Sequence, residues 1–235
     1  MRGGRLGKRG DKDHMDGLNT NNLGKRLFWF CLGLAINSCG IALITKAGLG
    51  TSQISSVPYV LSFQFTWLPF AVGTFIMNMV FIAVQIVLMG KRFFPIQLLQ
   101  IPVNIVFSSC LGVSMAAFGW LAPTSIPAQI ALLLLGCCVL GCGIAIECAP
   151  DLVFVPGEGI VYAIADTLGK KLGSVKVIFD LVLVAASVSL SLLLFGELRG
   201  VGLGTIVTVF ITGNVVNFAN EHFGFLDRVR GLVEA

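Results

Sequence analysis

Six stretches of mainly apolar residues, roughly 27–45, 68–89, 95–118, 127–147, 174–195 and 203–220, run through this chain as continuous blocks. Each is close to the ~20 residues that carry a helix across a bilayer. In hydrocarbon every backbone N–H and C=O must be satisfied inside the segment, which leaves helices as the economical solution for such blocks. Charged residues make up 12% of the sequence, about half the ~25% usual in soluble domains. Mean hydropathy is +0.91. A water-soluble globular fold is excluded, and no separate soluble domain is visible. The expected class is an all-α membrane protein with six transmembrane helices.

Two further apolar segments are too short or too broken to cross. Residues 54–65 contain Pro58, and residues 152–168 are interrupted by Pro156-Gly157-Glu158-Gly159 and carry Asp166. Segments of ~10–14 apolar residues are more often re-entrant or interfacial than spanning.

The formal net charge of +4 is concentrated at the start. Residues 1–26 hold Arg2, Arg5, Lys8, Arg9, Lys12, Lys25 and Arg26 against Asp11, Asp13 and Asp16. A polar, Gly-rich, basic tail of this kind buries no core and is expected to be disordered. Basic residues before a first span hold it in the cytoplasm, a more economical reading than nucleic-acid binding, which is not expected. The apolar run from Leu27 to about Ile44 exceeds the ~7–15 residues of a signal-peptide core. With six spans, Lys91–Arg92, Lys170–Lys171 and Arg228–Arg230 fall inside, and only Lys46 and Arg199 fall outside. Eight spans would move Lys91–Arg92 outside, so six are favoured, with residues 221–235 as a cytoplasmic C-terminal tail.

The chain also repeats itself. Cys39-Gly40-Ile41-Ala42-Leu43 matches Cys142-Gly143-Ile144-Ala145-Ile146, and Gly33 matches Gly136 in the same register. Each match precedes a short Gly-containing segment and then two spans. Asn78 in the first half corresponds to Asp180 in the second. Three spans per repeat is an odd number, so residues 27–118 and 119–220 are expected to form two three-helix repeats of inverted topology. In secondary transporters, broken helices from such halves meet near the midplane and form the substrate site; a duplicated scaffold without a site is the alternative.

Ionisable groups at membrane depth are costly and point to function. Glu158 stands between the glycines Gly157 and Gly159, just before a helical run. It reads either as a cap offsetting the helix dipole or as a carboxylate binding an ion or substrate. Asp180 has Lys176 four residues earlier on the same helical face. It reads either as half of a closed pair or as a proton or cation site shared with Glu158. Asn78 offers an amide to a polar substrate. In the first half, Thr51 or Ser52 is placed to cap the helix that follows, and Thr51-Ser52-Gln53 could present its N–H groups to an anionic or carbonyl group. Glu147 and Lys46 end the first span of each half and are expected at the interface. Asn104, Asn214 and Asn217 are expected to hydrogen-bond between helices.

The seven cysteines lie in or beside the spans without Cys-x-x-Cys or a neighbouring histidine, so zinc spacing is missing. They are expected to pack as small apolar residues. A thiol, sulfur-anion or soft-metal contact at Cys137, Cys138 and Cys142 is the lesser alternative. Gly200-Val201-Gly202-Leu203-Gly204-Thr205 reads as a tight loop opening the sixth span, since no Gly-Lys-Ser/Thr follows. No hydrolase or protease motif is present, so neither enzymatic activity nor a cofactor is expected.

Several short runs together resemble the YczE/YyaS/YitT-like family of bacterial multi-spanning membrane proteins. They are Leu49-Gly50-Thr51-Ser52 with Ile54-Ser55-Ser56, Pro58-Tyr59-Val60-Leu61-Ser62, Gln97-Leu98-Leu99-Gln100, Pro156-Gly157-Glu158-Gly159, Lys176 with Phe179-Asp180, and Gly202-x-Gly204-Thr205. The resemblance covers about residues 30–218 and implies a bacterial plasma-membrane protein; it supplies no substrate. The expected function is secondary transport of a small polar or charged solute, coupled to protons through Glu158 and Asp180. A non-transporting accessory protein is the rival, and a channel is a weaker third. The expected surroundings are the lipid bilayer, a small-molecule solute and, through an exposed small-residue face, a second copy in a homodimer.

Overall fold

The computed structural model describes residues 22–90, 93 and 95–234. Residues 1–21, with most of the basic tail, and Lys91–Arg92 of the charge argument lie outside the described residues. Among the described residues all regular structure is helical. In chain order the helices are α1 (Leu23–Lys46), α2 (Gln53–Gln64), α3 (Phe70–Met89), a 3₁₀ turn (Pro95–Leu99), α4 (Gln100–Ala117), α5 (Ile126–Cys148), α6 (Pro156–Leu168), α7 (Leu172–Phe195), α8 (Leu203–His222) and α9 (Gly224–Glu234). Six of these segments, α1, α3, α4 with its 3₁₀ turn, α5, α7 and α8, are long and apolar enough to cross a bilayer. The protein is therefore a multi-pass membrane protein. At 12 and 13 residues, α2 and α6 reach only about 18–20 Å at 1.5 Å per residue, short of a ~30 Å hydrocarbon core.

Two sequence-derived boundaries move. Helix α1 begins at Leu23, so Lys25 and Arg26 belong to it and not to a disordered tail. The Arg26 side chain is 1% exposed, because backbone carbonyls across the bundle accept its protons. The C-terminal tail contains an amphipathic helix, α9, whose Leu226 and Val229 bury against Ala145, Ala149 and Ala219.

The centre of the molecule is the crossing of α1 and α5. A Cβ on Gly33 would strike the backbone of Glu147, one on Gly40 that of Leu140, one on Gly143 that of Asn37, and one on Gly136 the Ile44 side chain and backbone. As residue numbers rise along α1 they fall along α5, so the two helices run antiparallel. Glycines recurring every seven residues on each helix let the backbones touch, the usual device for helix contact in membranes. The same residues carry the sequence repeat, and their contacts are reciprocal: the glycine of one half meets the counterpart of its partner's contact in the other.

The outer packing follows the same exchange. Helix α2 of the first half packs on α7 of the second, and α6 of the second packs on α3 of the first. The third span of each half, α4 or α8, packs on the first span of its own half. One relation is unequal: α3 and α4 pack together, while α7 and α8 barely touch.

Candidate functional site

The two interrupted segments end in different surroundings. In the first half, the chain leaves α1 at Lys46 and turns through Gly48 and Gly50, both with positive φ. A Cβ on Gly50 would collide with Thr205 Oγ1, so glycine is required there for both conformation and space. Thr45 Oγ1 bonds Thr51 Oγ1 at 2.8 Å, and the Thr51 N–H donates to Thr205 Oγ1 at 3.2 Å. Gln53 Nε2 donates to Thr208 Oγ1 at 3.0 Å, and the Gly204 N–H donates to the Leu49 carbonyl at 3.0 Å. The glycine-rich loop before α8 is thus the clasp for this break, a role its sequence did not reveal. Neither Thr51 nor Ser52 caps α2: Ser52 occupies the cap position and makes no side-chain cap bond. The Thr51 hydroxyl is turned to Thr45 of α1, and the Thr51 N–H and the Gln53 amide are turned to α8, so these groups of the expected ligand-facing N-terminus are taken up within the bundle.

The second break opens onto a cleft. It is lined by Glu147, Cys148, Asp151, Leu152, Val153, Phe154, Val155 and Glu158. Glu147 is only 4% exposed; Asn37 Nδ2 of α1 donates to its Oε2 at 2.8 Å. The close α1–α5 contact at Gly33 turns this residue, expected at the interface, in against α1. Glu158 stands in the first turn of α6, where Pro156 occupies an N-terminal position suited to its missing N–H. It makes no cap bond. Its Oε2 instead accepts from Cys148 Sγ at 3.9 Å. The linking loop is fixed from α1, because Arg26 Nε donates to the Pro150 carbonyl at 2.9 Å and Nη2 to the Asp151 carbonyl at 2.8 Å. Asp151 has a left-handed backbone, φ 49°, uncommon for a residue with a side chain.

Behind the cleft, α6 rests on a buried amide pair. Gln100 Nε2 donates to Gln85 Oε1 at 2.9 Å, and Gln85 Nε2 donates to Gln100 Oε1 at 3.2 Å. Gly159 lies directly on these amides and Gly157 on Ile54, so close that a Cβ at either would clash. These two glycines position the helix; they are not ligand-facing.

The remaining expected site residues are elsewhere. Asp180 does not line the cleft. It is 8% exposed, with Oδ2 3.6 Å from Lys176 Nζ and Oδ1 lacking a hydrogen-bond partner. Lys176 thus pairs with one oxygen of Asp180 alone, and the carboxylate that shares Glu158's cleft is Glu147. Asn78 donates to Asn104 Oδ1 at 2.8 Å, and Asn104 donates to the Phe75 carbonyl at 3.0 Å; this amide serves helix packing. Cys137 is buried and Cys138 exposed, so these adjacent thiols face different surroundings. Among the described residues no group of three or more His, Cys, Asp or Glu side chains is arranged to hold a metal ion.

Glu147, Asn37 and Arg26 were the residues sequence reasoning missed. The available signal was the repeat itself: Glu147 occupies the position of Ile44 in the other half, a carboxylate where the duplicated scaffold holds an apolar core residue. No curated protein and no solved structure matches the chain. A family model described as "Family of unknown function (DUF6198)" matches residues 24–221, the whole run from α1 to the end of α8, and the chain belongs to that family.

Proposed function

We propose that the protein is a proton-coupled secondary transporter of a small, positively charged polar solute. The observation that carries this reading is the convergence of Glu147 and Glu158 on one open cleft beside a broken helix. Two carboxylates in a medium of low dielectric repel each other unless a proton or a cation lies between them. Loading the cleft with one or the other supplies the exchange that coupling requires.

The reading includes an inverted repeat. Antiparallel α1 and α5 with reciprocal glycine contacts fit two halves related by an axis in the membrane plane. That axis would pass midway between the Gly33–Glu147 and Ile44–Gly136 contacts. Glu147 then lies about 8 Å from the midplane at 1.5 Å per residue, inside the ~15 Å half-thickness of the hydrocarbon. With both termini in the cytoplasm of a bacterial plasma membrane, the cleft faces the cytoplasm on the side where α1 begins.

Purified protein in liposomes tests this. Uptake of a cationic solute found by a thermal-shift screen should be accompanied by counterflow of protons and be lost in both Glu147→Gln and Glu158→Gln. Uptake unchanged in the two variants would remove the proposed coupling. A second reading, a non-transporting accessory protein, draws support from the Lys176–Asp180 and Asn78–Asn104 pairs. It predicts a stable membrane partner on purification and no solute-dependent thermal shift.

A further inference from the structure

Five amides inside the spans of this protein are buried and bonded. Asn37, Asn78, Gln85, Gln100 and Asn104 all have side-chain partners within the bundle. Helix α8 breaks the pattern. Asn214 and Asn217 are exposed, and among the described residues neither has a hydrogen-bond partner. Both lie within about 7 Å of the middle of α8 at 1.5 Å per residue, well inside the hydrocarbon. They are on the side facing away from α5, since Gly141 of α5 abuts Thr212 and Val215 instead. An amide transferred to hydrocarbon without a partner is strongly disfavoured, so lipid is a poor neighbour for this face. The outward face of α7 makes the contrast, presenting Val177, Ile178, Leu181 and Val182.

The exposed residues of α8 form a seam. Leu203, Ile206, Phe210, Gly213 and Asn217 follow one another at alternating steps of three and four, and each is exposed. That spacing is the a/d repeat of a left-handed coiled coil. A Cβ on Gly213 would meet nothing within 4 Å, leaving room for close approach at the centre of the helix. We infer that α8 is a homodimer interface, pairing in parallel with α8 of a second copy about an axis normal to the membrane.

The occupant follows from the chemistry of the face. Two copies with the same orientation in a bilayer can be related only by such an axis, which brings each residue opposite itself at the same depth. An asparagine amide is both donor and acceptor, so Asn217 facing Asn217 of the second copy satisfies both, as a single a-position Asn does in parallel coiled coils. A different partner would need its own amide at that depth.

Subunit counting of the full-length protein by single-molecule photobleaching in liposomes tests the inference. Wild type should be dimeric at high lipid dilution, and the Asn214→Leu/Asn217→Leu double variant should weaken association about tenfold, in keeping with interhelical hydrogen bonds in bilayers, with unchanged helical circular dichroism. Should that variant not fold, a photocrosslinking residue at Phe210 should yield dimers, and the same residue at Leu181 of α7 should not. A monomeric wild type overturns the inference. So does a double variant that dimerises as tightly as wild type, crosslinking from α7 in place of α8, or capture of a different membrane protein as the sole product.

Discussion

The breaks after α1 and α5 are counterparts in sequence and opposites in chemistry. The first is sealed: Thr51 and Gln53 spend their polar groups on Thr205 and Thr208 of α8. The second is open, with Glu147 and Glu158 lining a cleft and Arg26 restraining the backbone of its loop. Matching runs in the two halves each lead into a short helix. A few differing side chains make one break a joint and the other a candidate site. The helices around them differ as well, since α3 packs on α4 but α7 stands apart from α8. In the proposed transporter, that inequality is what two exchangeable conformations of one repeat would look like when each half adopts a different one.

The largest effect should come from attacking what the halves share. Gly33→Leu and Gly136→Leu each place a side chain against backbone at the α1–α5 crossing, and overpacking of this kind costs about 3 kcal/mol. Both variants should lose monodisperse protein on size exclusion to a similar degree; a large loss from one alone would break the equivalence of the two contacts. Next is the anchor of the open break. Arg26→Gln removes charge-assisted bonds to the Pro150 and Asp151 carbonyls, each worth about 1.5–3 kcal/mol. Proteolysis or hydrogen exchange should localise the loosening to residues 149–155, with the first break unaffected.

Neutralising the acids should then separate the two breaks by function. Glu147→Gln and Glu158→Gln should each reduce solute uptake at least about tenfold, the scale of one lost charged contact. Asp180→Asn, acting on the pair with Lys176, should change uptake less than either. The smallest effect belongs to the sealed break. Thr205→Val deletes the acceptor for the Thr51 N–H and should lower thermal stability by about 1 kcal/mol while leaving uptake intact. Loss of uptake there would mean that the first break is also a site.

The legible and illegible parts of the molecule divide along physical lines. All six spans were readable, because long apolar blocks answer to the bilayer and not to neighbouring residues. The short helices were readable from Pro58 and from Pro156-Gly157-Glu158-Gly159, which interrupt the apolar pattern. Glu158 was identifiable as a charge beside a break. Its companion was not: Glu147, at the end of a span, read as interfacial, and Asp180, inside a span, read as the partner, although Lys176 stands one turn before it and pairs with its Oδ2.

What the sequence determined by itself was the class of protein, the number of spans, the places where helices break and the short matching runs that mark corresponding positions in the two halves. Each is written in local composition or in self-similarity along the chain. Only the tertiary structure decided which polar groups are consumed by one another. Thr51 meets Thr205, Asn37 meets Glu147 and Arg26 meets Pro150 across more than a hundred residues. Hydrogen bonds of that range depend on how helices cross, and the glycines that set the crossing specify closeness without naming the partner.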